Sequence, residues 1–438
     1  MSHYETMSER ICTEIKRIIC SSVAGVGILT FSIITEESIY NKSPVVLAEG
    51  RHLGLEAWSV EFVYQYACSK IFPFRKKLER NAISLQDVEL VNSCLMTAIL
   101  INPYVSTFWN MRRNLVRASR DFSVERKLSQ IVLFSCFKSS DAFAFRRWTL
   151  EQETIFFRQL EPNCVWEAFC YEMVLCRTIF ESVPDNYHCW TYRQCCIYIF
   201  ENDINLKLML CREFQFINDC MNRHVVLSSV YHYKQFLINF VKNFYYFRRI
   251  DPIHRSTEIL LGLDIVSRRV MYKSSNIARF WEQFGNYRIG IFSCKFIVWV
   301  CVFWLELINE EEDRRFYMHE NFWLQRRFIL YTLFERLNNN IEGMLDDHNV
   351  VVDVKSNLLD SNILFTVCKS NYKMEKEIST NPAHKKIINS PFYRALINGE
   401  KYIVRKFMCP SNHNLIRRHI SWLKYFLRFD IELTSDPF

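Results

Sequence analysis

The sequence predicts an all-α protein, an α-α superhelix in which helical hairpins repeat as a solenoid. Three observations favour this fold class. Gly and Pro, the usual punctuation of strands and tight turns, number only 9 and 10 in 438 residues. A short motif recurs along the chain. The distances between its copies suit a unit of two helices and their connections.

The recurring motif is an aromatic ring that a cation follows three residues later. Positions i and i+3 share one face of a helix, so we expect the ring and the cation of each copy to lie side by side. A buried ring beside an Arg would also let the guanidinium reach backbone carbonyls or a carboxylate. The five copies are Trp109 with Arg112, Phe143 with Arg146, Trp190 with Arg193, Tyr231 with Lys234, and Trp323 with Arg326.

The spacing of the copies gives the size of the repeat. The first four aromatic residues are 34, 47 and 41 residues apart, and 92 residues separate the fourth from the fifth. The last gap leaves open a degenerate repeat between residues 240 and 310. Turn residues precede the first and third copies, at Asn102-Pro103 and at Pro184-Asp185-Asn186, where Asp185 or Asn186 could cap a helix. The motif is therefore predicted on the second helix of each hairpin.

The repeats divide the chain into three predicted parts. Residues 1–89 form an N-terminal segment that packs on the solenoid, residues 90–340 hold the repeats, and residues 341–438 hold an irregular insertion and a basic helical region. A last amphipathic helix is predicted from Leu415 to Phe429. Its apolar stripe is Ile416, Ile420, Leu423 and Leu427, and its cations Arg417, Arg418, Lys424 and Arg428 lie largely off that stripe.

Composition narrows the function classes. The 17 cysteines include no CxxC pair and no zinc-site spacing, which indicates reduced thiols in a cytoplasmic protein and no metal site in this chain. The formal charge of +8 could attract nucleic acid, acidic membrane or an acidic protein. No RGG run, recognition helix or zinc finger accompanies it, so nucleic acid is not expected. The uncharged run Ile18 to Thr35 is borderline in length for a membrane span, and we expect a buried segment there.

The repeats resemble those of the protein prenyltransferase α-subunit family, whose pattern is close to Pro-x-Asn-Tyr-x-x-Trp-x-x-Arg on paired helices. The segment from Asp185 to Arg193 matches the pattern closely, and Asn102 to Arg113 is the next best match. The resemblance covers about residues 90–340. Two further segments, Leu53 to Trp58 and His319 to Trp323, resemble one branch of the family in particular.

The resemblance implies a crescent of helical hairpins that wraps around a separate β subunit. In the family the β subunit carries the catalytic zinc and most of the isoprenoid pocket. Members of the branch are thought to pair with the β subunit of the Rab geranylgeranyltransferase. The expected function is therefore that of the α-type subunit of a heterodimeric protein prenyltransferase. This chain is expected to be inactive alone, because the zinc is in the β subunit. The complex would bind a prenyl diphosphate and transfer its prenyl group to a cysteine of a protein substrate.

The resemblance also implies which residues act. Family α subunits contribute a lysine five positions before the second aromatic residue, which is Lys138 here, and a Tyr-His pair before the third, which is Tyr187 and His188. These three are the candidate catalytic residues. Ser139-Ser140 stands where the family has Asn-Tyr, so the start of that helix could differ. The ring and cation residues of the five copies are the candidate partner-binding residues.

Three alternatives stay open at this point. The first is a non-catalytic scaffold of the tetratricopeptide type, although that repeat has a regular period of 34 residues. The second is an adaptor for protein–protein interaction that keeps the fold without catalysis. The third is a basic RNA-binding repeat protein, which would need a repeated pair of base-reading residues that the sequence lacks.

Overall fold

The computed structural model describes ten stretches of the chain: 3–21, 30–35, 43–49, 51–79, 85–119, 122–157, 162–202, 206–247, 317–339 and 400–427. The chain divides into two compact units, Met1–Ile204 and Asn205–Phe438. The possible repeat between 240 and 310 and the insertion predicted after residue 340 lie largely outside the described residues. Of the uncharged run from Ile18 to Thr35, residues 22–29 also lie outside them.

The first unit consists of eight helices and three short strands within its described residues. The helices are α1 (His3–Ser21), α2 (Ala57–Glu79), α3 (Leu85–Ile101), α4 (Ser106–Ser119), α5 (Phe122–Ser135), α6 (Ser140–Phe157), α7 (Pro162–Ser182) and α8 (Tyr187–Phe200). The strands are β1 (Thr30–Ile34), β2 (Val45–Ala48) and β3 (His52–Glu56).

The second unit is helical throughout its described residues. Its elements are α9 (Leu206–Arg223), α10 (Ser228–Phe247), α11 (Glu320–Asn339), α12 (residues 400–407) and α13 (His413–Trp422). A 3-10 turn, Pro410–Asn412, precedes α13, and a π-helical turn, Leu423–Leu427, extends it.

Consecutive helices pack as hairpins, which confirms the predicted all-α helical-repeat fold. The pairs are α3 with α4, α5 with α6 and α7 with α8 in the first unit, and α9 with α10 in the second. The first four copies of the motif lie on the second helix of each pair, as predicted. The fifth copy lies on α11, and the residues that precede this helix are outside the described part of the chain.

The tryptophan of the motif fixes the start of its helix. In three copies the indole N–H donates to the backbone carbonyl six residues earlier, just before the helix begins. The Nε1 to O distances are 2.9 Å from Trp109 to Pro103, 3.2 Å from Trp190 to Pro184, and 3.0 Å from Trp323 to Tyr317. Because a buried indole N–H needs an acceptor, this bond ties the helix to the turn that leads into it.

The cation of the motif joins the two helices of a hairpin. In three copies an Nη1 atom donates to the carbonyl 20 residues earlier, on the first helix of the same hairpin. The acceptors are Asn92 for Arg112 at 3.4 Å, Arg126 for Arg146 at 2.7 Å, and Met173 for Arg193 at 3.0 Å. The constant separation shows that the three hairpins share one register, although the aromatic residues are 34 and 47 residues apart.

The same arginines also join one hairpin to the next. Arg112 binds Glu125 of α5 through two hydrogen bonds of 2.5 and 2.7 Å, and Arg146 binds Glu172 of α7 through two of 2.8 Å. The Tyr192 hydroxyl donates to Glu172 at 2.8 Å, so this carboxylate connects α6, α7 and α8. Arg146 and Glu172 are fully buried.

The second unit contains related contacts. Tyr233 of α10 donates to Glu213 of α9 at 2.6 Å, with the separation of 20 residues that relates Tyr192 to Glu172. In the fourth copy Lys234 lies 3.5 Å from the Met221 sulfur. Arg326 of the fifth copy binds Glu400 through hydrogen bonds of 2.5 and 2.9 Å. Burial alone would raise the pKa of Glu400, but Arg326 and His419 lower it to about 2.

The N-terminal segment adds a small sheet that the sequence analysis did not predict. Its strand order is β1-β3-β2, with β1 parallel and β2 antiparallel to β3. A Cβ atom at Gly54 of β3 would overlap the end of the Ile34 side chain, so a larger residue there would require that side chain to move. The Phe31 N–H donates to the Ser135 hydroxyl at 2.7 Å, which attaches the sheet to α5.

Loss of the shared carboxylate is expected to destabilise the first unit strongly. Glu172→Ala leaves the buried Arg146 without a counterion and the Tyr192 hydroxyl without its acceptor, which should cost about 3–5 kcal/mol of unfolding free energy. Urea denaturation of the purified chain measures this. Glu151→Ala removes an exposed i,i+4 pair with Arg147 and should cost about 0.5 kcal/mol or less. Equal losses in the two variants would contradict the structural role of Glu172.

Candidate functional site

The candidate catalytic residues lie where the second helices of two successive hairpins begin. Lys138 is in the turn before α6, and Tyr187 and His188 are the first two residues of α8. All three belong to the first unit, so their relative placement is described by the packing of α5 to α8. Two caps and one side-chain bond determine that placement.

The two helix starts are capped at equivalent positions. Ser139 and Asn186 each lie four residues before the aromatic residue of their copy, Phe143 or Trp190. The Ser139 hydroxyl accepts from the Ala142 N–H at 3.3 Å, and the Asn186 side chain accepts from the Cys189 N–H at 3.2 Å. Serine and asparagine both cap helices well, so the Ser139 departure from the family pattern preserves the helix start.

Asn186 also holds the two helix starts together. Its side-chain amide donates to the Phe137 carbonyl at 2.5 Å, across 49 residues of sequence. The amide is buried, so both its acceptor and its donor atoms are used inside the protein. The turn that carries Lys138 is therefore attached to the turn that carries Asp185 and to the first residue of α8.

Lys138 faces solvent beside an acidic residue of the neighbouring repeat. Its side chain is 62% exposed, and its Nζ lies 3.6 Å from the Asp185 carboxylate, which is similarly exposed. An exposed pair of this kind contributes between about 0 and 1 kcal/mol. A stronger anion could therefore replace Asp185 as the partner of Lys138 at small cost.

Tyr187 and His188 complete this exposed edge. Tyr187 is 72% exposed, with its ring edge-on to His188 at a centroid distance of 5.8 Å. His188 is half-buried and stacks on Phe143, with ring centroids 6.4 Å apart. Since Phe143 belongs to α6, this contact brings His188 toward the helix that follows Lys138. The structure thus brings the three candidates into one region.

The edge has the chemistry of an anion-binding site. It offers an ammonium, a phenol hydroxyl and an imidazole, which are the donors that phosphate oxygens accept. It also lies at the N-termini of two helices, where unpaired backbone N–H groups and the helix dipole favour negative charge. Asp185 is the opposing feature, because its carboxylate would repel the same anion.

The structure places the ten candidate partner-binding residues in the interior of the hairpins rather than at a surface. Each is buried, and the four arginines among them have a backbone carbonyl or carboxylate of this chain as a partner. A buried guanidinium requires a close acceptor, and here the acceptors come from neighbouring helices of the same chain. The motif therefore has a structural role inside the hairpins. The ten are Trp109, Arg112, Phe143, Arg146, Trp190, Arg193, Tyr231, Lys234, Trp323 and Arg326.

The residue after the motif cation is the exposed one. Arg113 is half-exposed, with its guanidinium 5.7 Å from the centre of the Phe145 ring, and Arg147 is exposed on α6. Arg117, one turn beyond Arg113, lies 5.9 Å from the Trp148 ring. These arginines of α4 and α6 are termed the basic stripe, and within it Arg147 pairs with Glu151.

Two residues have roles in the site that the sequence does not predict. The sequence predicts Asp185 or Asn186 only as a possible helix cap, but Asp185 pairs with Lys138 and Asn186 attaches the two turns. The sequence of the turn before α6 does not predict the hydrogen bond from Asn186, because the acceptor is the main-chain carbonyl of Phe137. Glu125 and Glu172 accept the hydrogen bonds of the motif arginines. Their only signal in the sequence is that each is an acidic residue on the first helix of the next hairpin.

Among the described residues no group of three or more His, Cys, Asp or Glu side chains could hold a metal ion. The cysteines of the described ranges are free thiols. In the same part of the chain no helix is long and apolar enough to cross a membrane.

The hairpin formed by α7 and α8 is similar to the protein prenyltransferase α-subunit repeat. A profile of that family, the protein prenyltransferase alpha subunit repeat, matches residues 169–200, which cover most of α7 and all of α8. The resemblance stated from the sequence is thereby confirmed.

Relatives with the same repeats extend this result. Protein prenyltransferase alpha subunit repeat-containing protein 1-A of Xenopus laevis is 31% identical over 216 residues, which are 46% of this chain and 48% of that protein. Protein prenyltransferase alpha subunit repeat-containing protein 1 of Homo sapiens is 29% identical over 46% of this chain and 51% of its own length. The match therefore spans about half the length of these curated relatives.

A substitution at Asn186 can remove its hydrogen bond to the Phe137 carbonyl and keep its role as a helix cap. Asn186→Ser keeps an oxygen for the Cys189 N–H but removes the donor to the Phe137 carbonyl. We expect a loss of about 1 kcal/mol in unfolding free energy and faster hydrogen exchange in residues 137–142. Hydrogen-exchange mass spectrometry measures the second effect. Asn110→Ser, whose side chain binds only the neighbouring Arg113 on an exposed face, serves as the control. Unchanged exchange in Asn186→Ser would contradict the attachment.

Proposed function

We propose that this chain is the α-type subunit of a heterodimeric protein prenyltransferase, with a protein geranylgeranyltransferase as the specific case. It would support a zinc-bearing β subunit and help to bind the prenyl diphosphate. The observation that carries the proposal is the joint placement of Lys138, Tyr187 and His188 at two attached helix starts. The similarity to repeat-containing relatives supports the class of protein.

The reaction explains why these residue types are useful. A cysteine thiolate of the acceptor protein attacks the allylic carbon of the prenyl diphosphate. The new C–S bond forms as the C–O bond breaks, and the diphosphate leaves with the bonding electrons. Zinc in the partner subunit would lower the pKa of the acceptor thiol and hold it as a thiolate. Negative charge grows on the leaving diphosphate, so fixed donors directed at it lower the barrier.

This chain would supply three of those donors. Lys138 would offer a charge-assisted hydrogen bond to a diphosphate oxygen, in place of its weak exposed pair with Asp185. Tyr187 would donate through its hydroxyl, and His188 through a ring nitrogen. The stacking of His188 on Phe143 restricts the imidazole before the ligand arrives, which reduces the entropy lost on binding.

A partner would contact this chain through exposed residues near the same edge. The basic stripe of Arg113, Arg117 and Arg147 lies on the second helices, as Lys138 and Tyr187 do at their starts. A stable heterodimer of this kind would bury more than about 2,000 Å² in total. Arginine and tyrosine are enriched among residues that dominate the energy of such interfaces.

Coexpression with candidate β subunits tests the assignment. The full chain is produced with each prenyltransferase β subunit, with the Rab geranylgeranyltransferase type first, and is captured by a tag on this chain. We expect a one-to-one complex that transfers a prenyl group to a protein with a C-terminal cysteine, and no transfer by the chain alone. Geranylgeranyl and farnesyl diphosphate are compared as donors.

The outcomes separate the two candidate functions. A complex that transfers neither group would favour the non-catalytic scaffold or adaptor. The buried motif residues are compatible with that function as well, because their role is to hold the hairpins together. The absence of a complex with any β subunit, with this chain folded by circular dichroism, would overturn the proposal of an α-type subunit.

Lys138 provides the sharper test of the site. Lys138→Ala in the assembled complex should lower kcat by about 100- to 1,000-fold, because one charge-assisted contact to the transition state is lost. Complex formation, measured by size-exclusion chromatography, should be unchanged. Lys127→Ala removes a partly exposed lysine of α5 from a first helix and should leave kcat unchanged. Wild-type turnover in Lys138→Ala would remove this lysine from the site and leave Tyr187 and His188 as the candidates.

A further inference from the structure

The second unit has a cationic, aromatic groove that the proposed function does not use. Its volume is about 620 Å³, and it lies between α11 and α13 with the π-helical turn that extends α13. Three arginines and three aromatic residues line it: Arg327, Arg417, Arg418, Trp422, Tyr425 and Phe426.

The packing of α13 determines which side chains face this groove. Of the predicted apolar stripe, Ile416, Leu423 and Leu427 are buried, and Ile420 is partly buried. His419 is also buried and lies 3.0 Å from the Glu400 carboxylate. Because this side of the helix is held inside the unit, the opposite side with its cations is directed outward.

Two aromatic residues protrude where the helix ends. Tyr425 is 80% exposed and Phe426 is 63% exposed. Phe426 stacks on Trp422, with ring centroids 5.7 Å apart and the planes inclined by 22°. Adjacent exposed rings of this size are unusual on a soluble surface without a partner and often mark an interaction site.

The charge of the same face is strongly positive. The segment from His413 to Leu427 contains no Asp or Glu, and Arg417, Arg418 and Lys424 are exposed on it. Glu320 of α11 pairs with Arg418 at 2.8 Å and neutralises one of these charges.

Arg327 adds a further cation at the wall of the groove. Its Nε atom is buried without a hydrogen-bond partner. Burial lowers the pKa of Arg327, Glu320 opposes that shift, and the neighbouring Arg418 adds to it. A nearby anion would therefore relieve the repulsion between the two arginines.

We propose that this face docks on the surface of an anionic lipid bilayer. The arginines and Lys424 would contact lipid phosphates, and Tyr425 and Phe426 would enter the headgroup region, where aromatic rings are favoured. The chain would then be a peripheral membrane protein. This is compatible with the absence of a membrane-spanning helix among the described residues.

The arrangement favours a bilayer over RNA or an acidic peptide. Trp422 stacks on both His419 and Phe426, which leaves its ring less available to a nucleobase. The cations are spread along one exposed helix face rather than gathered around one buried point. A bilayer presents phosphates at every lateral position and can neutralise such a row together.

Vesicle sedimentation with the full chain tests the proposal. Vesicles of phosphatidylcholine alone are compared with vesicles that contain about 30% phosphatidylserine, at about 0.1 M and about 0.5 M NaCl. We expect binding to the anionic vesicles at low salt, little binding to the neutral ones, and loss at high salt. Equal binding to both vesicle types would overturn the proposal.

Two variants and a matched control assign the binding to this face. Arg417→Gln/Lys424→Gln should weaken binding by about 25-fold, because each cation near an anionic surface contributes about fivefold. Arg223→Gln/Arg405→Gln removes two exposed cations of the same unit outside the groove and should weaken it by less than about threefold. Tyr425→Ser/Phe426→Ser should also lower binding, with the cations intact.

Two further outcomes would overturn the proposal. Equal weakening by the groove variant and the control would show that net charge alone drives binding, and would overturn the assignment to this face. Single-stranded RNA or a polyglutamate peptide that binds the groove more tightly than the vesicles do would replace the bilayer as its partner. All substituted side chains are exposed, and circular dichroism checks that each variant is folded.

Discussion

The structure depends on the neutralisation of buried arginines by the neighbouring repeat. A guanidinium cannot be buried without an acceptor, and Arg146 has Glu172 of the next hairpin together with the Arg126 carbonyl of its own. One residue thus fixes both the pairing of helices within a hairpin and the packing of successive hairpins. The indole bond from Trp190 to the Pro184 carbonyl then fixes where the second helix begins.

That regular start of the second helices is what creates the candidate site. When every second helix begins at the same place relative to its aromatic residue, the preceding turns are aligned at one edge. Lys138 and Asp185 lie at equivalent positions in successive turns and are within 3.6 Å of each other. The motif residues face the interior of the hairpins, so the side chains of the preceding turns, such as Lys138, are left exposed at the edge. The same division separates Arg112 from Arg113, and Arg326 from Arg327.

The proposed prenyl-transfer site and the proposed membrane face belong to different units of the chain. The first concerns α6 and α8 of the first unit, and the second concerns α11 and α13 of the second. They are chemically compatible, because a protein that receives a prenyl group acquires affinity for membranes. Each can nevertheless fail alone, since one is measured by turnover and the other by binding to vesicles.

The sequence by itself determined the fold class, the positions of the second helices and the buried stripe of α13, because these follow from periodicity and from where turn residues stand. It also indicated Lys138, Tyr187 and His188 through a family resemblance. Tertiary structure alone decided that the motif residues are internal, since burial depends on which helix covers which. It alone showed that Ser139 replaces an asparagine as a cap, and that Asn186 binds the distant Phe137 carbonyl, because a backbone acceptor leaves no mark on the sequence. The sequence did not predict the N-terminal sheet, because its strands are only four or five residues long and have little pattern of their own.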